Sequence, residues 1–149
     1  IEPAHERLVA YGKAEGIDYN FERIERSANT IDAHRLIRWA AAAGLQEAMV
    51  ERLFAAEFTE GKDVGSLPVL ATLAGEVGMD TETVRRLLAS DEDRSAVIAE
   101  VENATRIGVT GVPCFILDGR YAVMGAHPAE SLAAAIRDAL AKRDATVEA

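Results

Sequence analysis

Apolar residues spaced three and four positions apart recur through the middle of the chain and predict a series of amphipathic helices. The first carries Leu36 and Ile37 on one side, follows a capping residue at Asn29 or Thr30, and ends at Gly44. Four more are expected, marked by Met49, Leu53 and Phe54; by Leu70, Leu73 and Val77; by a cap at Asp80; and by Val97 and Val101 after a start at Ser90. Five successive helices of this kind predict a helical bundle.

The N-terminal stretch before the bundle has two different patterns. HERLVAYGKAEG has the spacing of a short amphipathic helix that closes near Gly16. The following IDYNFERI alternates apolar and polar positions at Ile17, Tyr19 and Phe21, which favours an extended segment.

The pattern changes to strand-like alternation after Gly108. The segments CFIL and RYAVM flank Asp118-Gly119, a dipeptide that favours a two-residue type I′ turn because both central residues need positive φ. A β-hairpin is therefore predicted, and Pro128 then starts a final helix with Ile136 and Leu140 on one stripe.

A two-stranded hairpin is not stable alone in water, so these strands need further partners. The chain also opens on Ile1, inside a helical pattern. We therefore expect it to be part of a longer domain, with an apolar face of the hairpin and final helix either exposed or covered by a second copy in a homodimer.

Composition narrows the classes of function. The 149 residues suit one ordinary domain or part of a larger one, and the formal net charge of −9 disfavours nucleic acid and anionic membranes as partners. No apolar run approaches the roughly 18 to 20 residues of a membrane span, so a soluble, cytoplasmic protein is expected. The single cysteine and three scattered histidines give no internal disulfide and no zinc-binding spacing.

Pro113, at the start of the first predicted strand, is the most informative position for function. Proline has no N–H, so it ends the ladder there and leaves the backbone of Val112 without a strand partner. If the Val112-Pro113 bond is cis, that backbone points outward, where an extended peptide or glutathione can pair with it. A trans proline at a strand start is the commoner alternative on the residues alone.

Other side chains have a plain interpretation beside the functional one. Cys114 is either a thiol that traps glutathione or a partner protein as a mixed disulfide, or an inert strand residue, which we favour. Trp39 and Phe54 are expected in the core, with a ligand platform as the alternative. The cations Arg23, Arg26 and Arg35 are expected on a solvated face, with attraction of the glutathione carboxylates as the alternative.

Two motifs in this order resemble the DsbA family of thioredoxin-fold proteins, and most closely its FrnE-like subgroup. They are NTIDAHR at 29–35, and GVTGVPCF at 108–115 with its hairpin and the Gly125-Ala126-x-Pro128 that follows; the similarity runs from about Ile17 to Leu140. It implies an α/β, thioredoxin-like fold of the DsbA type with a large helical insertion. Residues 1–28 would link into the thioredoxin-like domain, 29–107 would form the insertion, and 108–149 the C-terminal hairpin and helix. The first β-α unit would lie outside this chain.

The resemblance implies a thiol-disulfide oxidoreductase whose Cys-x-x-Cys lies upstream of this chain. Val112 and Pro113 would then occupy the catalytic cis-proline loop. The substrate would be bound by Thr110, Gly111, Val112 and His34, although a helix-surface role for His34 is the favoured plain interpretation. No cofactor or metal is expected; the partners would be protein or small-molecule thiols and disulfides, with glutathione a candidate substrate.

Two other functions stay open. One is a glutathione-dependent isomerase or transferase similar to 2-hydroxychromene-2-carboxylate isomerase and the kappa-class transferases, in which a serine replaces the attacking cysteine. The other is a non-catalytic binding module that keeps the peptide-pairing loop. An upstream Cys-x-x-Cys or a lone serine discriminates the first two classes of enzyme.

Overall fold

The computed structural model describes residues 3–147, and these form helices with one short hairpin. The elements in chain order are α1 (Pro3–Ala14), a 3₁₀ turn (Phe21–Arg23), α2 (Ile31–Ala42), α3 (Gln46–Phe54), a π-helical turn (Ala55–Thr59), α4 (Leu67–Glu76), α5 (Thr81–Leu88), α6 (Arg94–Arg106), β1 (Cys114–Leu117), β2 (Tyr121–Met124) and α7 (Ala129–Val147). The chain divides into two compact units between Ala99 and Glu100. Within residues 3–147, no helix has the length and apolar character needed to cross a membrane.

The first unit is built around an apolar core that α2 to α5 share. Its fully buried members include Leu36, Ala40, Met49, Leu70, Leu73 and Ala74. The predicted helices are confirmed here, and so are their stop signals at Gly44 and Gly78, which adopt positive φ of 71° and 95°. Asp80 caps α5 as expected, since its carboxylate accepts a hydrogen bond of 2.8 Å from the Thr83 N–H.

Arg35 lies inside this core, so the prediction that it is solvated is wrong. Its side chain is 1% exposed. The guanidinium donates to three main-chain carbonyl groups at 2.7 to 2.8 Å, that of Leu87 in the last turn of α5 and those of Ser90 and Glu92 in the α5–α6 connection. It also pairs with Asp32 at 2.8 Å and lies 5.0 Å from the centre of the Trp39 ring. The buried charge is thus fully partnered, and it ties α2 to a loop more than fifty residues away.

The start of α6 differs from the prediction. The helix begins at Arg94, four residues after Ser90, whose hydroxyl instead donates to the Leu87 carbonyl and closes α5. Asp93 adopts a positive φ of 58° in the connection, and its carboxylate accepts a hydrogen bond from the Trp39 indole at 2.8 Å. Further along α6, Val101 is 51% exposed, so its expected inward orientation is also wrong.

The alternating segment around Tyr19 and Phe21 is not extended as predicted. Its backbone makes a 3₁₀ turn at Phe21–Arg23, and the Asn20 N–H donates to the Phe58 carbonyl at 2.7 Å. The Tyr19 and Phe21 rings stack 5.1 Å apart, and both meet the Phe58 ring edge-on at about 6 Å. Contacts between aromatic rings, instead of a strand ladder, hold this segment.

The second unit contains the β-hairpin. Its strands are antiparallel, with Cys114 opposite Met124 and Leu117 opposite Tyr121. Asp118 and Gly119 both have positive φ, 53° and 64°, as the sequence predicts. The connection between the paired residues is nevertheless three residues long, because Arg120 is an extra residue after the turn, where its N–H donates to the Leu117 carbonyl.

Apolar side chains remain exposed on the hairpin and on α7. Ile116, Ile136 and Leu140 are each between 43% and 51% exposed. The exposure that the sequence predicts for this surface is therefore present among the described residues, while Ala139 of α7 is buried. Pro128 precedes α7, and its carbonyl accepts from the Ser131 and Leu132 N–H groups, as expected for the start of a helix.

Replacing Arg35 with Met should destabilise the first unit by about 3 kcal/mol, because three carbonyl groups and the Asp32 carboxylate lose their buried partner. The measurement is urea-induced unfolding of the full-length protein. Arg85→Met is the matched control, since Arg85 is exposed and its ion pair with Glu82 is solvated, so no resolvable change is expected. Equal effects of the two substitutions would show that the Arg35 hydrogen bonds do not hold the unit together.

Candidate functional site

The loop between α6 and β1 carries most of the site residues that the sequence predicts. Helix α6 ends with a hydrogen bond of 3.0 Å from the Val109 N–H to the Ala104 carbonyl, and Gly108 in this turn has a positive φ of 94°. The next three residues, Thr110, Gly111 and Val112, are exposed. None of their main-chain groups bonds to a main-chain group elsewhere in residues 3–147.

The Val112-Pro113 peptide bond is cis in the structure. The Pro113 carbonyl accepts a hydrogen bond from the Gly125 N–H at 2.8 Å, which extends the hairpin ladder by one position beyond the Cys114–Met124 pair. Proline has no N–H to return, so the ladder stops there. The loop is thereby anchored on its strand side and open on its other side.

Val112 directly precedes Pro113, the residue at which the ladder ends. Its residue surface is 89% exposed, the highest value among the large apolar residues of the described chain. No described residue accepts from its N–H or donates to its carbonyl group. A donor and an acceptor on one exposed residue can pair with the backbone of an incoming peptide in the manner of an added strand.

The residues that anchor the loop were not singled out as site residues by the sequence. Gly125 supplies the N–H for the Pro113 carbonyl and adopts a positive φ of 85°, a conformation that favours glycine. The His127 ring donates from Nε2 to the Met124 carbonyl at 2.9 Å and so fixes the chain just beyond β2. The GAHP run at 125–128 is the sequence signal for this anchor.

Cys114 follows Pro113 and begins β1. It is the free cysteine of the chain and is half-buried. Its depression of about 190 Å³ is mainly apolar and is shared with Ile107, Val109, Ile116 and Met124. These surroundings suit the structural interpretation of Cys114, and its reactivity stays a prediction.

His34 belongs to α2 in the first unit, whereas residues 110–114 belong to the second unit. It is exposed and lines an apolar cavity of about 350 Å³ between α2, α3 and the π-helical turn. Phe54 also lines this cavity and is 57% exposed, so the expectation that it belongs to the core is wrong. Trp39 does pack against the core, as expected.

Charged groups in the first unit are mostly paired. Arg26 forms a hydrogen-bonded ion pair with Asp63, which lowers the pKa of that carboxyl group. Glu57, one turn after Phe54, differs from Asp63, because burial raises the pKa of its carboxyl group. Among the described residues, no group of three or more His, Cys, Asp or Glu side chains has an arrangement that could hold a metal ion.

Residues 1–137 match the family model described as a DsbA-like thioredoxin domain. The chain belongs to this DsbA-like family. Its fold is the DsbA-like thioredoxin fold in a mainly helical form, with the two-stranded sheet as the β component of the described residues.

Two proteins are similar to this chain over most of its length. The crystal structure of a protein described as a probable DsbA oxidoreductase of Streptomyces coelicolor matches 93% of this chain with a TM-score of 0.83 and 34% sequence identity. The uncharacterised protein YwbO of Bacillus subtilis is 28% identical over 147 residues, which cover 96% of this chain and 68% of YwbO. This chain spans 59% of the length of the Streptomyces chain.

Amide hydrogen exchange should distinguish the two sides of the loop. We expect the Gly125 amide, which is bonded to the Pro113 carbonyl, to exchange at least about tenfold more slowly than the Val112 amide, after correction for intrinsic rates. Two-dimensional NMR of the labelled protein in D₂O measures both amides in one sample. Equal protection of the two would mean that Val112 has a hydrogen-bond partner in solution.

Proposed function

We propose that this protein is a thiol-disulfide oxidoreductase of the FrnE type that holds the backbone of its substrate at Val112 and Pro113. The membership in the DsbA-like family supports the reaction class. The observation that carries the binding role is the pair of main-chain groups on Val112 that have no described partner. In this proposal, Thr110 and Gly111 leave room for the substrate backbone beside them.

The proposed reaction is a pair of thiol-disulfide exchanges. A thiolate of the protein attacks one sulfur of a substrate disulfide, and the S–S bond breaks, with its electron pair leaving on the other substrate sulfur, which takes up a proton. A second protein thiol, after losing its proton, displaces the substrate from the mixed disulfide. The substrate disulfide is then reduced to two thiols and the protein dithiol is oxidised; the reverse sequence oxidises a substrate.

The dithiol must come from residues outside this chain, because the chain contains one cysteine. The role we assign to the loop is positional. Strand pairing at Val112 would orient the substrate main chain on both sides of its cysteine and so reduce the freedom of the disulfide to turn away from the attacking thiolate. A cytoplasmic location, and glutathione as a second substrate, are part of the same proposal.

The test uses full-length protein, reduced and freed of excess reductant, with a short peptide that carries one disulfide-linked cysteine. A series of peptides has each backbone amide near the cysteine N-methylated in turn. We expect methylation at the one position that donates to the Val112 carbonyl to slow exchange about tenfold, since one main-chain hydrogen bond is lost. Methylation at the other positions provides the internal control. Exchange is followed by mass spectrometry of quenched samples.

Three results would contradict the proposal in different ways. Exchange at the same rate for every methylated peptide would remove the backbone-binding role and keep the reaction. Binding of the peptide without any exchange would favour the non-catalytic binding module. Exchange with glutathione disulfide alone, and with no peptide, would favour the glutathione-dependent class of enzyme.

A further inference from the structure

The cavity that α2, α3 and the π-helical turn line is open to solvent on one side and has the size and composition of a small-molecule site. Its volume of about 350 Å³ lies within the range of roughly 300 to 1,000 Å³ that is typical of ligand pockets. Its apolar lining comes from three helical segments and from the connection that precedes α4, and it includes Ile37, Val50, Leu53, Phe54, Phe58 and Val64. The cavity is contained in the first unit and is therefore a feature separate from the Val112 loop.

The polar groups at this cavity are few. Glu57 is the only acidic side chain among the described lining residues, and these include no Lys or Arg. The remaining polar side chains there belong to Ser27, Thr30 and His34. An anionic ligand would meet Glu57 with no lysine or arginine to offset the repulsion, whereas a cationic ligand would find its counter-ion there.

Glu57 is short of positive charge in the folded chain. Its carboxylate accepts a hydrogen bond from the Val64 N–H, and the nearby Asp63 acts on it with like charge. Glu57 also lines a second depression together with Arg23, Arg26 and Lys62. Arg26 pairs there with Asp63 and Lys62 with Glu60 at 2.6 Å, and no cation lowers the pKa of Glu57. Burial and the neighbouring charge both raise the pKa of Glu57, as expected for a carboxylate without a counter-ion.

The local backbone presents Glu57 and Phe58 to this cavity. Both lie in the π-helical turn Ala55–Thr59, and π-helical turns occur often at functional sites. The neighbouring Phe54 also lines the cavity and leaves more than half of its surface exposed, whereas Met49 and Leu53 of the same helix are buried. An exposed aromatic side chain beside a half-buried carboxyl group is a surface that a ligand can cover.

We propose that this cavity binds a small hydrophobic amine, with the aromatic or aliphatic body among Ile37, Val50 and Phe58 and the ammonium group at Glu57. The body removes apolar surface of the cavity from water, and the ammonium supplies the positive charge that Glu57 lacks. This site is independent of the thiol-disulfide reaction. It adds a ligand-binding function to the helical unit.

The test compares two ligands of the same size and opposite charge, 3-phenylpropylamine and 3-phenylpropionate, by NMR titration of the labelled full-length protein. We expect the amine to shift the resonances of Ile37, Val50 and Phe58 saturably, with a dissociation constant of about 1 mM or below, as suits a ligand of this size. The carboxylate should bind at least about tenfold more weakly, because of its repulsion from Glu57.

Glu57→Gln keeps the acceptor for the Val64 N–H and removes the charge, so it should abolish the preference for the amine. Glu47→Gln is the control, because Glu47 is exposed on α3 and does not line the cavity. Its preference should equal that of the wild type. The wild-type comparison of the two ligands decides the question even where Glu57→Gln does not fold.

Three outcomes overturn the proposal. Equal binding of both ligands by the wild type would mean that the charge of Glu57 does not select the ligand, and a preference that survives in Glu57→Gln would mean the same. The absence of saturable shifts at the lining residues would mean that the cavity takes neither ligand, as when a segment preceding Ile1 fills it. Thiol-disulfide activity of the same samples is measured separately, so that neither result depends on the other.

Discussion

The hairpin ladder ends at Pro113 because proline has no N–H, and this constraint determines what the second unit can do. One hydrogen bond, from the Gly125 N–H to the Pro113 carbonyl, holds the loop to β2. Beyond that bond, the main chain of residues 110–112 has no backbone partner within the described chain. Anchoring on one side and exposure on the other make Val112 an edge that is fixed in position and open to a substrate.

The first unit depends on a different constraint, the satisfaction of a buried charge. Arg35 places a guanidinium in an apolar core, and such a group is tolerated only when its donors are used. Three carbonyl groups in the last turn of α5 and the α5–α6 connection, together with Asp32, accept hydrogen bonds from these donors. The connection therefore takes a conformation that suits Arg35, and Asp93 with its positive φ is part of that conformation.

The sequence was sufficient where local signals determine structure. The helices α2 to α5, the positive φ of Asp118 and Gly119, and the open backbone at Val112 follow from spacing, glycine placement and the missing N–H of proline. The sequence was insufficient where groups far apart in the chain determine the structure. Arg35 is buried because carbonyl groups 52 to 57 residues away surround it. Every residue has a main-chain carbonyl group, so the residue types in the sequence do not reveal these partners. Phe54 has core-like spacing but lies beside a cavity, so periodicity alone placed it wrongly.

The central claim is that the main chain of Val112 pairs with the substrate. The most direct measurement is a crystal structure of the full-length protein joined through a disulfide to a substrate peptide. The account predicts a peptide N–H or carbonyl group about 2.9 Å from the Val112 carbonyl or N–H, in an extended arrangement beside Pro113. A covalently bound peptide that leaves both groups of Val112 in contact with water alone would contradict it.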